Sequence, residues 1–259
     1  MIVLFFGDVY GKPGRFALLQ KLPDLMAEYK SDFVIVNVEN LADGRGLTEK
    51  TLKPLFNQGV DVVTGGNHLW DRAESLEYIA HEKRIIKPIN YPASAPGSDS
   101  YIITKSGLTL GVMCLTGQIF MPPCDSPFHA FDRLWEDADH SIPWLVDFHA
   151  ESTSEKRAFG WYVDGRAAVV VGTHTHIQTA DEEILPQKTA YLTDVGMTGA
   201  HDSVIGVKKE IILEKLRSAV PRRYETSDKG LMINAAVFEL DNDSGRALSI
   251  KRLRIPVER

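Results

Sequence analysis

The stretch Ile2-Val-Leu-Phe-Phe-Gly-Asp8 sets the pattern of the fold, because it is a short apolar run that ends in a glycine and an acidic residue. A glycine-rich turn and the amphipathic stretch Arg15–Lys30 follow, which predicts a strand, a turn and a helix. The same order returns at Phe33–Val38 and at Asp61–Thr64, each followed by a helical stretch. Repeated strand–helix units predict parallel pairing in the first third of the chain.

The rest of the chain adds hairpins to this pattern. Two strands joined by a tight turn are predicted at Tyr101–Thr104 and Leu108–Leu115. From this hairpin onward, we expect antiparallel pairing to take over from parallel pairing. Leu231–Leu240 and Ala247–Ile255 predict a terminal hairpin. The other predicted helices span 48–58, 71–82, 128–139, 152–163 and 208–218, and the other strands 142–148, 167–171 and 190–193. A mixed α/β sandwich, with two sheets and helices outside, accommodates all of them in one domain over residues 1–259.

Composition narrows the functional class. The 259 residues are 44% hydrophobic and 25% charged, which suffices for a full core. A net charge of −6 argues against a protein that coats nucleic acid, so we expect no stable nucleic-acid complex. No apolar run reaches membrane-spanning length, no signal-peptide pattern is present, and Cys114 and Cys124 are too few for a disulfide framework. We therefore expect a cytoplasmic protein without a membrane partner.

Metal-binding residue types recur where the predicted strands end. Because strand ends of an open α/β sheet converge on one edge, such residues can meet around a shared centre. Oxygen donors mixed with imidazoles suit Fe, Mn or Zn better than Ca or Mg, and a two-metal site is typical of phosphoester hydrolysis. The residues in question are Asp8, Glu39, Asn40, Asn67, His68, His149, His174 and His176.

Several of these residues have individual roles that their positions favour. Glu39 follows a strand predicted to be central, where a lone carboxylate is costly unless it meets a cation, so it is the best candidate to bridge two metals. Asn67 offers a carbonyl oxygen, while His68 points elsewhere and suits general acid catalysis. His174 and His176 are two residues apart, which on an extended segment places both on one side, facing adjacent metals.

Structural alternatives remain for some of these residues. The glycines of the first turn offer a phosphate-binding loop, although their spacing differs from the common fingerprints. Glu39 is alternatively a buried salt-bridge partner or a helix cap, and His68 a histidine packed in a turn. His201 follows a strand and is left open as a residue that lines the site. Cys124 is expected to be a spectator.

Taken in order, these motifs resemble those of the calcineurin-like metallophosphoesterases. The segments around Glu39-Asn40, Asp-Phe-His149-Ala-Glu-Ser and Thr-Asp194-Val-Gly-Met-Thr-Gly look like the YmdB-like bacterial phosphodiesterase family in particular, and the similarity covers essentially the whole chain. Two positions depart from the superfamily pattern. Asp8-Val9-Tyr10 stands where Asp-x-His is usual, so Tyr10 replaces the histidine, and Glu39, with Asn40 beside it, stands where a bridging aspartate is usual.

The resemblance implies an α/β fold of four layers, an αββα sandwich with two mixed sheets and outer helices, in a single metallophosphoesterase domain. It also implies an iron-type dinuclear centre, with Mn or Zn as alternatives, and hydrolysis of 2′,3′-cyclic nucleotides to 3′-nucleotides. His68 becomes the proton donor. The implied ligands of one metal are Asp8, Glu39, Asn40 and His176, with Asn40 in place of the missing histidine, and those of the other are Glu39, Asn67, His149 and His174.

These implications give a mechanistic hypothesis and its alternatives. A metal-bridging hydroxide attacks phosphorus, and His68 protonates the departing ribose 2′ oxygen. One alternative function for the same site is that of a phosphomonoesterase or an RNA-processing nuclease. An alternative from another class is a metal-binding regulatory protein with weak turnover. A full ligand set with a spare histidine favours the enzyme, because structural metal sites are normally closed. We also expect a homo-oligomer.

Overall fold

The computed structural model describes residues 1–258, which form two β-sheets with helices on their outer faces. The strands are β1 (Ile2–Phe6), β2 (Phe33–Asn37), β3 (Val62–Thr64), β4 (Ile85–Ile86), β5 (Ser100–Lys105), β6 (Leu108–Thr116), β7 (Trp144–His149), β8 (Val169–Thr173), β9 (Glu183–Ile184), β10 (Ala190–Leu192), β11 (Gly199–Ala200), β12 (Leu231–Leu240) and β13 (Ala247–Pro256). The α-helices are α1 (Gly11–Tyr29), α2 (Glu49–Asn57), α3 (Leu76–His81), α4 (Pro127–Asp137), α5 (Thr153–Val163) and α6 (Lys209–Ser218).

The first sheet is built around β1 and β2, as the N-terminal pattern predicts. In the described residues β1, β2, β3 and β4 are parallel neighbours, and β12 joins β1 antiparallel on the other side. β12 also pairs with β13, so the predicted terminal hairpin is confirmed.

The second sheet corrects one prediction. β5 and β6 are antiparallel, but parallel pairing then resumes from β6 through β7 and β8 to β10, so the expectation that antiparallel pairing takes over was wrong. The reason is that β7 and β8 are buried along their whole length and that α5 connects them, which is the usual setting of parallel strands.

The layers follow from the alternation of side chains along the strands. In β1, Val3 and Phe5 pack between the two sheets, whereas Leu4 and Phe6 pack against α1 and its neighbours. On the far side, the buried residues of α4 and α5 pack on the second sheet. Helix, sheet, sheet and helix therefore form four layers, and the predicted αββα sandwich with two mixed sheets is confirmed.

Smaller differences concern short elements. The two-residue strands β4, β9 and β11 carry no periodicity and were not predicted. The helix predicted over 71–82 is instead a 3₁₀ turn, Ala73–Ser75, followed by α3. Within residues 1–258, no helix combines the length and the hydropathy needed to cross a bilayer.

Candidate metal centre

The carboxyl ends of strands from both sheets deliver the predicted residues to one place. Asp8 follows β1, Glu39 and Asn40 follow β2, and Asn67 and His68 follow β3. From the second sheet, His149 is the last residue of β7, and His174 and His176 follow β8. All but Asn67, His68 and His174 are buried.

Two groups of donor atoms form where these residues meet. The donor atoms of Glu39, His149 and His174 all lie within 4.8 Å of one another, and so do those of Asp8, Glu39 and His176. Glu39 belongs to both groups, and its Oε2 lies 3.0 Å from Nε2 of His149. This is the arrangement that two neighbouring cations with one shared carboxylate need.

One asparagine accompanies each group. The Oδ1 atom of Asn67 lies 3.1 Å from Nε2 of His149, and Oδ1 of Asn40 lies 3.1 Å from Nε2 of His176. The structure thus brings Asn67 to the first group and Asn40 to the second, in the same grouping that the resemblance implies.

The chemistry of this donor set fits bound cations. Asp8 and Glu39 are fully buried, and Oδ1 of Asp8 has no hydrogen-bond partner among the described residues. Burial raises the pKa of Asp8 to about 6 in the metal-free chain, because a buried carboxylate without a cation is costly. A bound divalent or trivalent ion would remove that cost.

Gly66 shows how tightly the donors are packed. A Cβ atom at this position would lie 2.2 Å from Oε2 of Glu39 and 2.5 Å from Nε2 of His149. Only glycine allows the backbone of the loop after β3 to approach both donors.

Hydrogen bonds on the far side of each imidazole orient its donor nitrogen. Nδ1 of His149 lies 2.8 Å from the hydroxyl of Thr173, which in turn donates to the buried carboxylate of Asp147 at 2.7 Å. Nδ1 of His176 donates to the carbonyl of Ile205 at 3.0 Å. In both histidines Nε2 is left free to act as a ligand, which is the usual outer-sphere arrangement of a metal-bound histidine.

His174 directs its other ring nitrogen, Nδ1, toward the donor groups. Its Nδ1 lies 3.0 Å from Nε2 of His149, while its Nε2 lies 3.2 Å from the half-exposed carboxylate of Glu151. Nδ1 is therefore the atom that faces the first group, and the Glu151 carboxylate holds the proton of Nε2.

The geometric reason predicted for His174 and His176 was wrong, although both side chains do reach the centre. The strand ends at Thr173, and the φ angles of His174 and His176 are 96° and 64°, so the segment is not extended. The carboxylate of Asp194 holds this bend by accepting hydrogen bonds from the backbone and hydroxyl of Thr175 and from the buried ammonium of Lys156.

His68 stands beside the two groups without belonging to either. Its backbone N–H donates to Oε2 of Glu39 at 3.2 Å, and Nδ1 of its ring lies 2.9 Å from the carboxylate of Asp71. The side chain lines a cavity of about 410 Å³ that is also lined by Glu39, His174 and His176.

His201, which the sequence left open, and Cys124 both lie outside these groups. His201 lines a smaller adjoining cavity with His176, and its Nε2 donates to the carbonyl of Met197. The thiol of Cys124 contacts the Asn90 amide and the Gly117 carbonyl, and burial raises its pKa to about 11. A high thiol pKa makes Cys124 unreactive at neutral pH, as expected of a spectator.

Sequence reasoning missed the supporting residues of the site. Asp71 lies three residues after His68, and Asp147 lies two residues before His149 on the same face of β7, so spacing offered a signal for both. Thr173, Glu151 and Lys156 carried no such signal, because only the folded chain shows which buried group they meet.

Comparison with known proteins places the chain in a family. The family model described as "YmdB-like protein" matches residues 4–253. A Bacillus subtilis (strain 168) protein named 2′,3′-cyclic-nucleotide 2′-phosphodiesterase is 43% identical over 256 residues, which are 98% of this chain and 97% of the relative.

Two solved structures share the fold of this chain. A hypothetical protein from Thermus thermophilus superposes with a TM-score of 0.93 at 39% identity, over 99% of both chains. A Mycoplasma pneumoniae protein described as a novel phosphatase superposes with a TM-score of 0.94 at 34% identity, over 99% of this chain and 93% of its own.

Fold and site together define a metallophosphoesterase-type α/β sandwich. The chain belongs to the YmdB-like family, so the resemblance inferred from its motifs is confirmed. The predicted enzyme class, a phosphoesterase, is confirmed by that membership.

Proposed function

We propose that this chain is a metal-dependent phosphodiesterase that hydrolyses 2′,3′-cyclic nucleotides to 3′-nucleotides. The observation that carries the proposal is the position of Glu39, which is shared by two donor groups and accepts a hydrogen bond from the backbone N–H of His68. The name of the 43% identical Bacillus subtilis relative supports the choice of substrate.

The ligand roles follow the two groups. Asp8, Glu39, Asn40 and His176 would hold one ion, and Glu39, Asn67, His149 and His174 the other. When bound, the two ions supply Lewis acidity that activates a water molecule and neutralises charge on the phosphoryl group. Three imidazoles, two carboxylates and two amide oxygens suit iron, with manganese or zinc as alternatives.

His68 provides the proton for the leaving group. With Nδ1 bonded to Asp71, its Nε2 remains for the ribose 2′ oxygen that departs when the cyclic diester opens. The Asp71 carboxylate fixes the orientation of the ring.

The open cavity supports an enzyme over a purely structural metal protein. A structural site is normally closed, whereas His68 and members of both donor groups, Glu39, His174 and His176, line a space of about 410 Å³. That volume suits a mononucleotide. A cytoplasmic location, a single domain, a homo-oligomer and the absence of a stable nucleic-acid complex remain predictions.

The test compares two substrates that differ in their need for an acid. In His68→Ala, kcat for 2′,3′-cyclic AMP should fall by about 10²- to 10⁴-fold with metal content unchanged. Hydrolysis of bis(p-nitrophenyl) phosphate should change little, since p-nitrophenolate leaves without a proton. The exposed His81 gives the control His81→Ala, for which both rates should stay at the wild-type level.

Two outcomes would contradict the proposal. Wild-type protein that is loaded with metal but does not hydrolyse 2′,3′-cyclic AMP would refute the substrate. Unchanged turnover in His68→Ala would remove His68 from the acid role.

A further inference from the structure

The cavity beside the metal centre has a second wall that the proposed chemistry does not use. Besides the charged donors, it is lined by Tyr10, Ile205, Val207 and Tyr224. Tyr224 is 45% exposed and Ile205 is 49% exposed, although both lie at the edge of a polar site. Large apolar side chains that remain open inside such a cavity are suited to a flat, apolar part of a ligand.

This wall is attached directly to the metal centre. The carbonyl of Ile205 accepts the hydrogen bond from Nδ1 of His176 at 3.0 Å. Gly206 follows, and a Cβ atom there would lie 2.7 Å from the ring of Tyr10, so the loop packs closely on that ring. The Tyr10 ring in turn lies edge-on to His176, with ring centroids 5.6 Å apart.

The segment that carries Tyr224 is fixed against the same loop. Val207 forms an antiparallel bridge with Thr226, and the backbone N–H of Lys208 donates to the carbonyl of Glu225 at 2.9 Å. The ammonium of Lys215 contacts the Tyr224 hydroxyl and lies 4.8 Å from the centroid of its ring. The ring is thus held in place while much of its surface stays open.

We propose that this wall binds the nucleobase of the substrate, with the ring of Tyr224 as the stacking surface and Ile205 as its apolar neighbour. The inference rests on the proposed function, because it assumes that the phosphate lies over Glu39, His174 and His176. A nucleoside cyclic phosphate has an anionic end and a flat aromatic end. The cavity is lined by both kinds of side chain that such a ligand needs, polar donors and large apolar or aromatic residues.

Stacking also predicts weak discrimination among bases. Every base presents a π-face, and base–aromatic stacking is tolerant of sequence. The Tyr224 hydroxyl is already bonded to Lys215, so stacking is the main interaction that this residue offers. We expect cyclic adenosine, guanosine, cytidine and uridine phosphates to have kcat/KM values within about tenfold of one another.

The experiment compares a nucleotide with a cyclic phosphate that has no base. In Tyr224→Ala, KM for 2′,3′-cyclic AMP and the Kd for adenosine 3′-monophosphate, measured by equilibrium dialysis, should rise by about 5- to 100-fold. The kcat/KM for glycerol 1,2-cyclic phosphate should stay within about twofold. Tyr224→Phe keeps the ring and should retain wild-type values for the nucleotide.

A matched control is available on another surface. Tyr162 is 42% exposed and its hydroxyl is bonded to Asp132. Tyr162→Ala therefore removes a comparable side chain, and the kinetic constants for both substrates should stay at their wild-type values. Equal effects of Tyr224→Ala on both substrates, or no effect on the nucleotide, would overturn the inference and leave the proposed function standing. Wild-type protein without activity on any nucleoside cyclic phosphate would refute the proposed function and this inference with it.

Discussion

His68 and Asp71 form a hydrogen-bonded pair at the edge of the metal centre, with Nδ1 of the imidazole 2.9 Å from Oδ2 of the carboxylate. Both side chains are partly exposed, whereas the donors behind them are mostly buried. The His68 side chain lines the cavity in which the substrate would lie, and the Asp71 carboxylate decides which nitrogen of the ring is left free.

Asp71→Asn tests this relationship. Loss of the carboxylate should lower kcat for 2′,3′-cyclic AMP by about 10- to 100-fold, less than the loss of His68 itself, because the ring is still present but its orientation is held less firmly. The rate with bis(p-nitrophenyl) phosphate should hardly change. The exposed Asp43 provides the control Asp43→Asn. An equal loss with both substrates would mean that Asp71 is only structural.

The Thr173 hydroxyl is predicted to control metal affinity. Thr173→Val keeps the shape of the side chain but breaks the link from His149 to Asp147, and the metal Kd should rise by about 10- to 100-fold. Competition with a chromophoric chelator measures this change. Thr189, another buried threonine whose hydroxyl bonds only to backbone groups, gives the control Thr189→Val, which should retain wild-type affinity. Unchanged affinity in Thr173→Val would contradict the proposed role.

The stability of the metal-free protein is predicted to fall between pH 7 and pH 9. Burial alone would lower the pKa of His149, but the carboxylates of Glu39 and Asp8 outweigh it and raise the pKa to about 9. Because the pKa of His149 in the folded chain lies above the unfolded value of 6.5, protonated His149 stabilises the folded state. This contribution is fully present below pH 6.5 and is lost as the pH rises through about 9. A scan of Tm against pH on chelator-treated protein should show this slope.

His149→Gln supplies the comparison for that scan. The variant has no imidazole to titrate at this position, so its Tm should vary less between pH 7 and pH 9. Because a cation must displace the proton of His149, metal binding to the wild type at pH 7 should also release protons. A Tm that is equally flat in both proteins would contradict the assigned coupling.

The strand pattern of this chain was readable from its sequence because the strands obey simple rules. Ile2–Phe6 and Leu231–Leu240 were predicted with the bounds that the structure has, since a continuous apolar run and an alternating run each have one plausible conformation. Parallel pairing of β6, β7 and β8 was missed, because the β5–β6 hairpin indicates antiparallel pairing only locally and says nothing about the strands that follow it.

The site residues also divide into those whose position the sequence predicted and those that only the folded chain shows. Glu39 and His149 could be identified because a charged or imidazole group directly after an apolar strand has few other uses. The path of the backbone through His174 and His176 could not, since their positive φ angles depend on Asp194 and Lys156, which are remote in sequence. Tyr224 lies after α6 in a stretch without periodicity, so only the folded structure places it beside the centre.

The most direct test of the central claim is the metal content of the purified protein, measured by elemental analysis beside that of Glu39→Ala. If Glu39 is the carboxylate shared by two ions, the wild type should carry about two metal ions per chain and the variant should lose most of both. The exposed Glu74 gives the control Glu74→Ala, which should match the wild type. Wild-type metal content in Glu39→Ala would contradict the account.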